Sequence, residues 1–205
     1  MEKKIISSIH YFPNIIYFAS LIKYENFIID TGENYIKQSF RNRTNILTAN
    51  GIQSLTIPVK RNIKKNISSI LINGDNWKQI HYKSLQNAYK KSPFYEHYDF
   101  EIKNLIFNEN KKLLDYNLLI LEELLEIIDI EIKIRKSSKY IEKQKTDIDL
   151  RNYFKKTNDL KVNEYSQVYE YKFKFQHNLS ILDLLFNEGP ETFNYLFNLS
   201  KQLKF

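Results

Sequence analysis

The chain has 205 residues, of which 42% are hydrophobic and 27% charged; this fits a single globular domain able to bury its own core and excludes a disordered chain. It has no cysteine, which excludes a disulfide framework, a thiolate nucleophile and a thiolate metal site, and which is compatible with a reducing compartment. The formal charge of +7 and a pI of about 9.2 favour an anionic partner, but lysine, isoleucine and asparagine are used as heavily as an AT-rich coding sequence would use them, so local clusters count for more than the net charge.

The most apolar stretch, residues 118–134, is interrupted by five acidic residues. It falls short of the roughly 20 uncharged apolar residues that a membrane span needs. The apolar run after Glu2-Lys3-Lys4 is too short for a signal-peptide core. A cytoplasmic protein without a membrane span is expected.

Residues 5–9 have strand character. Pro13 suits the first turn of a helix that carries Ile15, Phe18, Ala19 and Ile22 on one face, and residues 26–29 return to strand character. This is a βαβ unit, whose strands should be parallel neighbours. Asn50-Gly51 between two strand-like runs predicts a hairpin, with Pro58 near the end of its second strand. A lysine-bearing loop over 62–68 and a short strand over 69–72 follow. Asp75 or Asn76 caps a helix over 77–91 with Trp77, Ile80, His81, Ser84 and Ala88 on one face, ended by Ser92-Pro93.

Further helices are predicted over 94–108 and 113–128, the latter largely buried. Ile130, Ile132 and Ile134 alternate with charges and predict a strand. Residues 137–166 are polar and aperiodic and suggest a linker with one short helix over 150–155. Tyr169, Tyr171, Phe173 and Phe175 alternate with charged residues and predict a strand with a packed aromatic face, not a base-stacking surface. Ser180 and Asp183 form a capping box, and Gly189-Pro190 marks a helix stop and restart. The fold class is therefore α/β: an N-terminal βαβ unit and a mixed, largely parallel sheet flanked by helices, Rossmann-like, in one domain over residues 1–205.

Several runs together resemble the WbqC-like protein family in its short form. They are Tyr11-Phe12-Pro13; the central run from Glu33 through Lys37, Gln38, Arg41, Asn42 and Arg43; Ala49-Asn50-Gly51 and Leu55 to Lys60; Trp77, His81, Lys83-Ser84, Tyr89 and Ser92-Pro93; and Leu179 to Pro190. They occur in family order across most of residues 9–195. Longer members carry an extra glycine-containing segment where this chain has its polar stretch at 137–166. The resemblance implies a role in bacterial surface-polysaccharide (O-antigen type) synthesis. One such role is a transferase acting on a nucleotide-linked sugar with an acyl or aminoacyl donor.

The residues themselves offer a basic cluster of Lys37, Arg41, Arg43 and Lys60. If residues 35–40 are helical, Lys37 and Arg41 share a face. Arginine forks and lysine point charges suit a nucleotide-sugar pyrophosphate or another phosphorylated ligand, and they also suit a plain solvated face. Gln38 and Asn42 join them as polar contacts, as does Asn34, and Tyr11 comes with the opening motif. His81 is the acid–base candidate, or else a buried histidine satisfied by one hydrogen bond. Asp30 and Glu33 follow the second strand, where a general base would face the ligand edge of a sheet, or else they are a helix N-cap pair. His10 follows the first strand, at that same edge. No metal site is expected, no glycine-rich phosphate loop is present and no cofactor is specified. The alternatives are a basic nucleic-acid-binding module and a non-catalytic accessory protein of a glycan-synthesis complex.

Overall fold

The structure, a computed structural model, describes residues 4–24, 26–60, 66–154 and 162–205. Strand β1 (Ile5–Ser7) leads into helix α1 (Ile15–Lys23) and back to β2 (Phe27–Ile29). β1 and β2 are parallel, with Ile5 opposite Phe27 and Ser7 opposite Ile29. α1 is capped by Asn14, whose side-chain oxygen accepts from the Tyr17 amide at 2.9 Å, so Pro13 lies just before the cap instead of within the first turn. Its residues 15–21 are all buried, as befits a helix that is apolar on every side, and it packs against α7 (Thr192–Gln202) and α6 (Ile181–Glu188).

The hairpin forms at Asn50-Gly51: β3 (Arg43–Thr48) pairs antiparallel with β4 (Gly51–Thr56), and Gly51 takes a φ of 97°. Helices α2 (Asn76–Tyr89), α3 (Tyr95–Phe107) and α4 (Leu113–Ile127) follow in the predicted places. The buried side of α2 carries Trp77, Lys78, His81, Leu85, Ala88 and Tyr89, while Ile80 stays 61% exposed. The short strand predicted at 69–72 is reduced to isolated bridges, Val59 with Ile72 and Leu71 with Lys112, after a 3-10 turn over Ile67–Ser69. The predicted loop at 62–68 lies largely outside the described residues.

Residues 130–134 do not pair. Pairing begins later, at β5 (Arg135–Lys136), parallel to β2. Within the polar stretch at 137–166, β6 (Ile148–Asp149) pairs parallel with β1 on its other side, and Leu150 and Phe154 are buried in the core. The last residue of the short helix predicted at 150–155 lies outside the described residues. The sheet order is thus β5-β2-β1-β6, all parallel, with the order reversing at β1. The α/β class stands.

Residues 169–175 are not a strand. They form a single helical turn, α5 (Glu170–Phe173), ended by Lys174 at a φ of 58°, and Tyr171 is 81% exposed. Alternation alone does not make a strand, since it describes side-chain faces and supplies no pairing partner. Ser180 caps α6 through its side chain, but Asp183 does not complete a capping box. Its buried carboxylate instead accepts from Tyr89 Oη at 2.9 Å, Tyr165 Oη at 2.6 Å and Gln167 Nε2 at 2.9 Å.

Candidate functional site

Three parallel strands end together around one polar lattice. Asp30 directly follows β2, Ser137 follows β5, and Arg151 lies two residues beyond β6. Asp30 is fully buried and accepts from the Gly32 amide (3.0 Å), Ser137 Oγ (3.2 Å), the Ile141 amide (3.2 Å) and Arg151 Nη1 (2.7 Å). Arg151 turns its other edge to Asp149, with Nε and Nη2 donating at 3.0 and 2.5 Å. Burial alone would raise the Asp149 carboxyl, but its hydrogen bonds from Arg151 hold it below the ordinary value, and they raise the Arg151 guanidinium in turn.

A second pair stands beside this one. Residues 35–42 are turns, not a helix, with Gln38 at a φ of 55°, so Lys37 and Arg41 do not share a helical face. The turn folds Arg41 inward until it is 1% exposed, and its Nε (2.8 Å) and Nη2 donate to the two oxygens of Glu33. Arg41 Nη2 also donates to the Arg151 carbonyl at 3.3 Å, joining the two pairs. Burial pushes the Glu33 carboxyl above its ordinary value, opposed by the bonds and charge of Arg41. Among the described residues each Glu33 oxygen accepts one N–H, leaving about two of the four acceptor positions of a carboxylate unused.

A cleft of about 260 Å³ opens onto this lattice, lined by Glu33, Asn34, Ile36, Tyr140, Asp149, Arg151 and Asn152. It lies outside the carboxyl ends of the strands where the sheet order reverses, the place where open α/β sheets bind ligands. Tyr140 stands at its mouth, 55% exposed, with the Arg151 guanidinium 4.7 Å from its ring centroid. A larger hollow of about 600 Å³ runs along α4 and residues 129–136, but its walls are aliphatic side chains and exposed charges, and none of the predicted site residues lines it.

The predicted site residues do not all come together. Asp30, Glu33 and Arg41 join the lattice. Tyr11 and His81 form a separate buried pair, with Tyr11 Oη 3.0 Å from His81 Nδ1, against Trp77 and Tyr116. Burial lowers the His81 imidazole to about 4, opposed by the Thr56 backbone, so it is neutral at pH 7. Arg43 opens β3 opposite Thr56, and Asn42 donates to the Ile57 carbonyl at 2.8 Å. Lys37, Gln38 and Lys60 are exposed.

His10, at the end of β1, lies 2.9 Å from Ser8 Oγ, while Ser8 Oγ donates to the Arg151 carbonyl at 3.1 Å. Burial, followed by the charge of Arg41, holds His10 well below the ordinary imidazole value. Since the Ser8 proton goes to a carbonyl, His10 donates to Ser8 and is not placed as its base. Among the described residues no group of three or more His, Asp or Glu side chains is arranged to hold a metal ion. Tyr140, Asp149, Arg151 and Asn152 were not singled out from the sequence. Their one signal is the five-residue alternation Asp147-Ile148-Asp149-Leu150-Arg151, the pattern of a short strand.

Comparison with known proteins agrees with the resemblance read from the motifs. The model of the WbqC-like protein family matches residues 9–158 and 147–195. The chain is 26% identical over 226 residues to the uncharacterized protein Rv1507c of Mycobacterium tuberculosis (strain ATCC 25618 / H37Rv), covering 96% of this chain and 98% of that protein. No solved structure matches. With nearly all of its motif-bearing length matched, the chain belongs to the WbqC-like protein family.

Proposed function

We propose that this protein is a cytoplasmic transferase of bacterial surface-polysaccharide synthesis, which moves an acyl or aminoacyl group onto a nucleotide-linked sugar in the cleft at the strand ends. The observation that carries this reading is the position of the cleft. A pre-organised lattice of carboxylates and guanidiniums sits at the reversal of strand order and opens to solvent. Glu33 is assigned as general base. Among the described residues its carboxylate keeps free lone pairs, and burial raises its proton affinity above that of a surface glutamate. As a sugar hydroxyl or amine attacks the carbonyl carbon of the donor, its proton passes to Glu33 and the new C–O or C–N bond forms; the bond between the acyl carbon and the leaving group then breaks, and the proton held by Glu33 goes to the leaving group.

Asp30 and Arg41 act as positioning residues, holding Arg151 and Glu33 in place. Lys37 and Gln38, exposed just beyond the cleft residue Ile36, are assigned to the phosphate end of the substrate. Thermal-shift screening with nucleotide-linked sugars and acyl donors, followed by mass spectrometry of the mixtures, tests the proposal. The expected result is a raised Tm with at least one nucleotide-linked sugar and a product heavier by one acyl group. No shift and no acylated product across the panel would overturn it.

A further inference from the structure

We infer that the cleft seats the ring of the ligand, a hydroxyl- or amine-bearing ring, and not its phosphate groups. This deepens the proposed function and rests on its choice of ligand site. A phosphate calls for charged donors, and among the described residues the two guanidiniums of the wall spend most of their N–H groups on carboxylates and carbonyls. Arg151 spends Nε and Nη2 on Asp149 and Nη1 on Asp30 and the Ile141 carbonyl. Arg41 spends Nε and Nη2 on Glu33 and reaches Ser39 Oγ with Nη1 at 3.4 Å. Three carboxylates thus enclose two guanidiniums, and an incoming phosphate would meet more negative than positive charge.

The free capacity of the site is of the opposite kind. Among the described residues Glu33 retains acceptor positions, which call for O–H or N–H donors on the ligand. Asn34 and Asn152 add side-chain amides to the lining, which suit a ring carrying several hydroxyls. Tyr140 supplies an aromatic surface at the mouth, held by Arg151 on its ring and by its backbone on Gly32. A cleft of about 260 Å³ is a size for one ring and not for a whole nucleotide-linked sugar.

The test is ligand-observed NMR and thermal shift with a neutral monosaccharide, its amino counterpart, inorganic pyrophosphate and a nucleotide-linked sugar. Each is measured on the wild type, Tyr140→Ala and Asn152→Ala. Both positions are exposed, so the variants should fold. Glu33→Gln is added as a third, with its folding checked by circular dichroism because it alters a buried pair. The expected result is that both monosaccharides bind, about tenfold more weakly in Tyr140→Ala, while pyrophosphate binding is unchanged by either surface variant. Pyrophosphate that competes with the monosaccharide, or that loses affinity in Tyr140→Ala and Asn152→Ala, would overturn the inference. If the nucleotide-linked sugar binds Tyr140→Ala and Asn152→Ala as tightly as the wild type, the ring seat is wrong while the transferase reading survives. If no sugar binds the wild type in any form, the transferase reading itself falls.

Discussion

Glu33 and Arg41 illustrate how one pair serves both fold and site. Each is almost fully buried, so each charge depends on the other. Replacing Arg41 by Met strands a buried carboxylate, and urea unfolding should show a loss of about 3–5 kcal/mol. The double variant Glu33→Gln/Arg41→Met removes both charges and should lose distinctly less. His81 gives a second expectation at this scale. With Nδ1 facing the Tyr11 hydroxyl and burial lowering the ring to about 4, ¹⁵N NMR should find the imidazole neutral throughout pH 5.5–8. The depressed value carries a sign. The folded state holds His81 neutral, so its contribution to stability is present above about 6.5 and is lost as pH falls toward about 4. Glu33 and Arg41 were legible in the sequence as chemistry-bearing residues, but their pairing was not, because residues 35–42 are turns and no helical spacing relates them. Arg151 was illegible for a simpler reason. Its importance comes from contact with Asp30, 121 positions away.

The elements explain how those residues are held. Residues 137–141 lie against the loop after β2: Ser137 bonds Asp30 and the Thr31 amide, and Ile141 donates to Asp30. Gly32 makes this approach possible, since a Cβ there would lie 2.0 Å from the Tyr140 nitrogen. Gly32→Ala should therefore push Tyr140 away from the cleft, with a stability loss of about 1–3 kcal/mol by thermal unfolding and weakened ligand binding. The strap at 162–176 is held by a different device, the buried Asp183 with its two tyrosines and Gln167. Burial raises the Asp183 carboxyl from its ordinary 3.8 to about 6 despite those three donors. A raised value means that its contribution to stability is full below pH 3.8 and is lost as pH rises through 6. Relative to Asp183→Asn, the wild type should thus lose about 2 kcal/mol between pH 4 and pH 7 in denaturant titrations. Long elements such as α4 and the Asn-Gly hairpin were readable because periodicity and turn chemistry repeat the same message over many residues. β6, only two residues long among polar neighbours, carried no such repetition, and its place in the sheet is set by β1.

At the scale of the whole molecule, the parallel sheet makes the site. β1 receives β2 on one side and β6 on the other, so the loops after these strands diverge and leave a cleft between them. The net charge of +7 plays little part there, because the guanidiniums in the cleft wall are matched by carboxylates. The α/β class was legible from the N-terminal βαβ unit alone, whereas the cleft needed three segments far apart in sequence to be brought together. Its role is tested most directly by mapping amide chemical-shift changes while a nucleotide-linked sugar is titrated into the isotope-labelled protein. The largest changes should cluster at Asn34, Tyr140, Arg151 and Asn152. Changes centred instead on Tyr11 and His81, or along the hollow beside α4, would contradict that role.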